Sequence, residues 1–552
     1  MCAIVNLRMG LAARSKERRK RLQVRLLLTA IVFVGLALRY WSPAMRSDLW
    51  YDETFSLTIA GQPFSKMLHS FLLGADANPP LYTLLLHFWL KLGESDVHIK
   101  LLSLMFGVAV IPTMYIVARE AGGRRVGLVA SLLLATAPAA VNYSVEARSY
   151  SLFFFLSLLS THFLLSIARA SSGNDRKLFR LWIAYGALSA LSVYAHWFGL
   201  LVLLVQTVAF AILYLRSFRL MRDLVLSLAA ITMACTPLIP LFRNETALRN
   251  AAGGFLWPGR PDLHSIYELA SFLFGGELLL PLAVVLMIIG FWKPGRRSKG
   301  DTHCAKREVL FFASYLILPV AVIFAISNLL SHFSFFVFRY FLPFIASVPI
   351  LIAISLRNLR SSLAVGFLSI FVLFPAIKIF KHSPNTPYSH LAAELATEPS
   401  KYCVVAHLSP MSYYPALHYV KSEAPAEKVL CDASQPASFP LRIAIDGELL
   451  ANSDLLSIDA LSPKRDLLVV IDPIDKDKNA EALWNLLQKD DRYSVASEEQ
   501  VAGLVLERLV ARKPAEETDE LKPRYEPSQV IKTEARRAVP TRFAEGPDLP
   551  SE

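Results

Sequence analysis

Two adjacent carboxylates, Asp52 and Glu53, sit in the run Leu49-Trp50-Tyr51-Asp52-Glu53-Thr54, flanked by the aromatic Trp50 and Tyr51. A carboxylate partly desolvated by aromatic rings has its pKa raised toward that of a working general base. Neighbours on a helix do not share a face, so the two acids are expected to do different jobs. One abstracts a proton, while the other holds a cation, an acceptor hydroxyl or the loop itself. The bland alternative is a solvated pair capping a surface helix, since carboxylates are common at helix N-termini. Four further groups bear on the same chemistry: Lys100, Arg148 in Glu146-Ala147-Arg148-Ser149-Tyr150, His196 in Tyr194-Ala195-His196-Trp197-Phe198, and Arg339 in Phe338-Arg339-Tyr340. A carboxylate base facing a basic pocket suits displacement of a phosphate: the base activates an acceptor hydroxyl and the arginines stabilise the departing anion. Phosphate leaves without a general acid, so the chemistry expected is a single displacement with inversion at the carbon attacked.

Residues so far apart meet only if the chain gathers many elements at one place. Of 552 residues, 54% are hydrophobic and 18% charged, and the mean hydropathy is +0.42, which excludes a string of ordinary soluble domains and indicates an integral membrane protein. The net charge of +12 would suggest nucleic acid for a soluble chain. In a membrane protein positive charge sets orientation instead, and no nucleic-acid partner is expected. Eight Lys and Arg within residues 1–25 precede an apolar run at 26–41 with no small-residue cleavage site after it, the pattern of a signal anchor with a cytoplasmic tail.

Ten more apolar runs follow, at 99–118, 126–142, 150–168, 181–195, 198–215, 224–242, 278–292, 309–329, 340–356 and 363–380, making eleven expected spans. Every second loop is basic: Arg119, Arg124 and Arg125; Arg169, Arg176, Lys177 and Arg180; Arg216, Arg219 and Arg222; Lys293, Arg296, Arg297, Lys299, Lys306 and Arg307; Arg357 and Arg360. This parity puts Asp52, Lys100, Arg148, His196 and Arg339 together at the outer face. Lys100 taken alone is expected to snorkel to lipid phosphate, and His196 equally suits a packed interfacial histidine. The run at 81–92, opened by Pro79 and Pro80, is too short to span and reads as a helix at the outer interface. It belongs to a long outer loop at 42–98; a second, at 243–277, holds Trp257, Pro258, His264, Glu268 and Glu277.

After residue 382 the hydropathy falls. Short apolar strands at 401–406, 429–431 and 467–471, with a helix at 480–488, indicate a small extracytoplasmic α/β domain over 383–511. Residues 512–552, rich in Lys, Glu, Pro and Arg, are expected to be disordered. The five cysteines form no disulfide framework and no zinc-like cluster, although an oxidising compartment would permit a Cys403–Cys431 bond. No GxGxxG, Walker or HExxH pattern is present. The fold class expected is an all-α polytopic membrane protein of about 11 transmembrane helices over 26–382, plus juxtamembrane helices, carrying the C-terminal α/β domain.

The ordered motifs resemble those of the GT-C membrane glycosyltransferases of glycosyltransferase family 39, the protein mannosyltransferase and aminoarabinose transferase type. They are Trp50-Tyr51-Asp52-Glu53, Asn78-Pro79-Pro80-Leu81-Tyr82, Leu101-Leu102-Ser103-Leu104-Met105-Phe106-Gly107, Tyr143-Ser144-Val145-Glu146-Ala147-Arg148-Ser149-Tyr150, Tyr194-Ala195-His196-Trp197-Phe198 and Arg339-Tyr340-Phe341-Leu342-Pro343. The resemblance covers about residues 48–343. It implies transfer of a sugar from a polyprenyl-phosphate donor to a lipid, glycan or protein acceptor at the outer face of the plasma membrane. Asp52 takes the role of base with Glu53 as its motif partner. The donor phosphate falls to Arg148 and Arg339, with Lys100 and His196 beside them, and the donor and acceptor pocket to Trp50, Tyr51, Asn78, Tyr82, Tyr143, Glu146 and Tyr340. Relatives often carry Lys or His before the two prolines where this chain has Asn78, and the domain at 383–511 matches no motif.

Two other functions compete. A flippase for a lipid-linked sugar would need charged or broken helices at the bilayer midplane, whereas Pro112 and Pro237 have no ionisable neighbours in sequence. An oligosaccharide ligase of the same fold would use a lipid diphosphate donor. No cofactor is required by the residues, but a divalent cation would make Asp52 and Glu53 its candidate ligands.

Overall fold

The computed structural model describes residues 2–170, 175–251, 259–292, 302–330, 334–381, 383–397, 404–420, 426–431, 449–450, 452–457, 461, 466–472, 478–490, 492–501 and 504–511. The tail at 512–552, Cys403, Trp257, Pro258 and the basic residues at 293–299 lie outside them.

The N-terminal basic stretch and the apolar anchor form one helix, α1 (Cys2–Tyr40). Four short helices follow: α2 (Pro43–Arg46), α3 (Tyr51–Ala60), α4 (Phe64–Leu72) and α5 (Leu81–Trp89), the last extended by a 3-10 turn, Leu90–Leu92. Next come α6 (Asp96–Gly122), α7 (Arg124–Ala135), α8 (Pro138–Asn142), α9 (Tyr150–Ala170), α10 (Asp175–Ala195), α11 (Gly199–Tyr214), α12 (Phe218–Cys235), α13 (Ile239–Ala251), α14 (Leu263–Phe274), α15 (Leu279–Trp292) and α16 (Thr302–Leu329). A 3-10 segment, Phe338–Ala346, runs into α17 (Ser347–Arg357), and α18 (Ser361–Ile379) closes the bundle.

All eleven expected apolar runs are helical. Among the described residues, eight helices are long and apolar enough to cross a membrane, or nine if α14 and α15, bent by 76°, count as one span. The chain is thus a polytopic membrane protein, with three departures from the expected spans. The run at 126–142 divides because Pro138 starts α8 and supplies no N–H to continue α7. At 16 residues, α11 is short of the roughly 20 needed to span. The run at 224–242 passes its expected end, because α12 continues through a 3-10 turn at Pro237 into α13. There Glu245 pairs with Arg249 at 2.8 Å and accepts from Trp197 Nε1 at 2.8 Å, so polar residues expected in a loop are satisfied within a helix.

The most enclosed apolar segments are α6, α9 and the Phe338–Arg357 segment. Outer helices turn Leu26, Phe33, Met233 and Ile377 outward, as lipid-facing residues should be. One charge is buried near the end of α1. Arg39 donates from Nε to Ser144 Oγ at 3.0 Å and from its Nη atoms to the carbonyls of Gly35, Ala135 and Ala140. It thereby satisfies the last carbonyl of α7 and one in α8 and joins α1 to the turn after α8.

The C-terminal domain holds α19 (Pro387–Thr397), β1 (Val404–His407), α20 (Pro410–Tyr419), β2 (Ala426–Cys431), β3 (Leu455–Ser457), β4 (Leu467–Ile471), α21 (Lys478–Gln488), β5 (Tyr493–Val501) and β6 (Leu504–Ala511). The sheet order is β3-β2-β1-β4-β6-β5. The first four strands are parallel; β6 runs antiparallel to β4, and β5 to β6. Leu468 and Val470 pack with Leu391 and Ala416 on one face, while Leu467 and Val469 pack with Leu483 and Leu487 on the other. That two-sided burial explains the uninterrupted apolar run at 467–471.

Candidate active site

Helix α3 starts immediately after the aromatic pair, and its first turn separates the two carboxylates. Glu53 turns back: Oε2 accepts the N–H of Trp50 at 3.1 Å and Oε1 accepts the N–H of Ala147 at 2.6 Å. It is 3% exposed and ties the start of α3 to the turn at 143–149. Burial raises its pKa, and the nearby Lys100 and these two N–H groups offset that only in part. Asp52 points elsewhere, with Oδ2 3.1 Å from Arg339 Nη2. Its side chain is 19% exposed, so it remains approachable.

Arg148 completes the join from the opposite side. Its Nη1 donates to the backbone carbonyl of Asp52 at 3.1 Å and to Ser56 Oγ at 2.6 Å, while Nε is buried with no hydrogen-bond partner. Burial alone would lower the guanidinium pKa, but Asp52, Tyr150 and Asp76 hold it above its ordinary value. The Arg339 guanidinium lies 5.3 Å from the Trp50 ring and 5.9 Å from those of Tyr150 and Tyr340, an aromatic setting that retains a cation. Two arginines from separate elements therefore flank one carboxylate.

A cavity of about 690 Å³ adjoins this group. Trp50, Tyr143, Glu146, Phe272 and Phe338 line it, with Asp48, Lys100, Glu268, Glu277 and Lys378 also on its walls. Aromatic faces beside carboxylates suit a sugar, whose C–H face stacks on rings and whose hydroxyls donate to acids. Glu146 Oε1 is buried without a hydrogen-bond partner, and burial, then the neighbouring Glu53, push its pKa above the ordinary carboxylate range.

Several expected positions differ. Lys100 does not snorkel: it is 1% exposed and donates to the carbonyls of Ala44 at 3.1 Å and Ser47 at 2.5 Å. His196 is packed rather than cationic. Its ring stacks on Phe153 at 5.0 Å and meets Tyr340 edge-on at 4.8 Å. Burial, then Arg148 and Arg339, lower its pKa to about 3. Nδ1 accepts the Phe198 N–H at 3.1 Å, which leaves the proton on Nε2. Tyr51 faces the C-terminal domain, where its ring is 6.3 Å from that of Tyr414. The Tyr82 hydroxyl bonds Ser103 Oγ at 2.7 Å, Asn78 donates its N–H to Asp76 at 2.9 Å, and Tyr340 packs on Phe198 at 4.9 Å. These four lie off the walls of the cavity just described.

Two neighbours of Arg148 escaped the sequence reading. Ser56 lies one turn after Asp52, the i,i+4 spacing that puts both on one helix face, so a signal was present. Buried Asp76 accepts from Asn78 N–H and Thr83 Oγ1 and acts on Arg148 electrostatically, yet in sequence it has only its nearness to Pro79-Pro80 to mark it. Asp52 and Glu53 hold different partners. The Glu53 oxygens receive backbone N–H groups and Asp52 receives a guanidinium, whereas metal ligands converge their lone pairs.

The sequence matches no protein-family model and no curated protein. Solved structures do match. ArnT from Cupriavidus metallidurans in the apo state aligns with TM-score 0.58 at 13% identity, covering 89% of this chain and 98% of that one. The same protein bound to undecaprenyl phosphate aligns with TM-score 0.55 at 12% identity, covering 90% and 99%. About nine-tenths of this chain and nearly all of the other are aligned, and this chain has the GT-C membrane fold.

Proposed function

We propose that the protein transfers a sugar from a polyprenyl-phosphate donor to a hydroxyl acceptor at the outer face of the plasma membrane, with Asp52 as base. The observation that carries this is a partly open carboxylate 3.1 Å from Arg339, with Arg148 bound to its own backbone carbonyl, at one end of an apolar helix bundle. The likeness to a fold solved with undecaprenyl phosphate adds support. In the step proposed, the acceptor O–H gives its proton to Asp52 while its oxygen forms a bond to the anomeric carbon. The bond from that carbon to the phosphate oxygen breaks, and its electron pair stays on the phosphate, inverting the carbon. The donor phosphodiester carries one negative charge and the departing monoester gains a second. Arg148 and Arg339 consequently bind the departing group more strongly than the ground state, which is what accelerates a reaction. Competition of the donor phosphate for Arg339 also frees Asp52 to accept the proton.

Glu53 and Lys100 are assigned to holding the loop rather than to the reaction. The alternating basic loops support an outer-facing site and an outer C-terminal domain. Purified protein in lipid nanodiscs, given a panel of polyprenyl-phosphate sugars and acceptors, should release free polyprenyl phosphate. Movement of labelled lipid between leaflets with every donor intact would replace this proposal with a flippase, and turnover only with lipid diphosphate donors would replace it with a ligase. Chelator should leave release unchanged; its abolition and recovery with a divalent cation would overturn the absence of a metal from the step.

A further inference from the structure

Between α2 and α3 the backbone is irregular, and its N–H groups need partners from elsewhere. The C-terminal domain supplies them. Asp48 donates its N–H to the Asn385 carbonyl at 2.8 Å, and Asn385 donates its N–H to Ser47 Oγ at 2.9 Å. The Asp48 carboxylate accepts the N–H groups of Tyr388 and Ser389, at 2.9 and 2.8 Å, capping the start of α19. Leu49 donates its N–H to the Tyr419 hydroxyl at 2.7 Å, and that hydroxyl donates in turn to Asp96 Oδ2 at 2.6 Å. The other Asp96 oxygen lies 2.9 Å from His418 Nε2. Four residues on from Asp96 in α6, Lys100 donates to the Ser47 carbonyl. Three consecutive residues are thus clamped between α6 and the C-terminal domain, three positions ahead of Asp52. Phe55, one turn beyond, packs its ring 5.6 Å from that of Tyr414.

We propose that the C-terminal domain positions the base: Tyr419, fixed by Asp96, and the start of α19, fixed on Asp48, set the backbone from which Asp52 projects. This rests on Asp52 being the base of the transfer. Among the described residues the Asp52 carboxylate pairs with Arg339 and not with the domain, so the domain's residues are positioning residues, and their loss should act on turnover more than on donor affinity. The donor phosphate is assigned to Arg148 and Arg339, which project from other elements. A hydroxyl is the group that can accept from Leu49 and donate to Asp96 at once, so Tyr419→Phe removes both bonds while keeping the ring.

The test uses the full chain in lipid nanodiscs with two readouts: amide hydrogen exchange over residues 47–53, and release of polyprenyl phosphate from the donor. For Tyr419→Phe the expected results are exchange faster by about tenfold and kcat lower by about tenfold, with donor KM within about twofold. Asp96→Asn, which keeps an oxygen for the Tyr419 hydroxyl, should retain most of the kcat that Asp96→Ala loses. Unchanged exchange would overturn the proposal, as would faster exchange with normal kcat, or a raised KM with normal kcat. Failure of the unaltered protein to release carrier would instead refute the transfer reaction. The exchange readout would still decide whether the domain holds residues 47–53.

Discussion

Gly107→Ala is expected to impair turnover far more than folding. Gly107 lies in α6 against the turn that carries Glu146 and Arg148. A Cβ built there would stand 2.2 Å from Ser144 Oγ and 2.3 Å from Ser144 Cβ. Restoring ordinary contact, which starts at 3.4 Å, requires an opening of about 1.1 Å. Ser144 cannot simply rotate away, because its Cβ is in the way and its Oγ accepts from Arg39. Overpacking of this kind costs about 1–3 kcal/mol, while Ala in place of Gly returns up to about 1 kcal/mol of helix propensity. The net loss of stability is therefore about 0–3 kcal/mol. Displacing Arg148 and the Ala147 N–H by about 1 Å slows catalysis on the order of a hundredfold. Steady-state release of polyprenyl phosphate, measured beside a thermal melt, separates the two effects. Adding Ser144→Gly should restore much of the activity, since the remaining contact is Ser144 Cα at 3.0 Å, whereas Ser144→Ala should not. Full activity in Gly107→Ala, or rescue by Ser144→Ala, would refute the reasoning.

Asp52→Asn should lower kcat by roughly 10²–10⁴-fold, the usual worth of a general base, with little change in melting temperature; a fall below tenfold would assign the proton to another group. In Glu53→Gln an amide N–H must face either the Trp50 or the Ala147 N–H, so a loss of about 1–3 kcal/mol of stability is expected, with a smaller kcat effect than in Asp52→Asn. An unchanged melt would show that Glu53 does not brace the turn. Glu146 has a folded-state pKa raised by burial and by Glu53, so the folded protein binds the extra proton. The stability it contributes is present below the ordinary carboxylate pKa and is lost as pH rises through the raised value. Glu146→Gln should therefore flatten the fall in melting temperature from acidic to alkaline pH, and an identical slope in both proteins would refute the assignment.

Helix existence was legible because lipid demands long apolar runs, and every one of the eleven runs is helical. Helix ends were harder. The continuation of α13 depends on Glu245 finding both Trp197 and Arg249, partners that hydropathy does not see. In the C-terminal domain, β1, β2 and β4 were readable as apolar runs, whereas β5 turns the polar stretch Ser497-Glu498-Glu499-Gln500 to solvent and offers no such run. At the site, residue types led to Asp52, Arg148 and Arg339 because charge is costly at the edge of a membrane. The separation of Asp52 from Glu53 was expected from the residues in kind, and the resemblance named Asp52 as the base. That separation depends on the Ala147 N–H, a backbone group that sequence does not distinguish from any other.

The Arg39 clasp bears on how the protein is made. Its acceptors, Ala135, Ala140 and Ser144, lie 96 to 105 residues further along the chain. At a synthesis rate of about 5–20 residues per second, the first helix waits roughly 5–20 s before those carbonyls exist. During that interval its guanidinium must reach for the surface, as long cationic side chains can. The first helix is thus held provisionally and becomes locked only when α7 and α8 arrive, so the order of synthesis is written into one buried arginine.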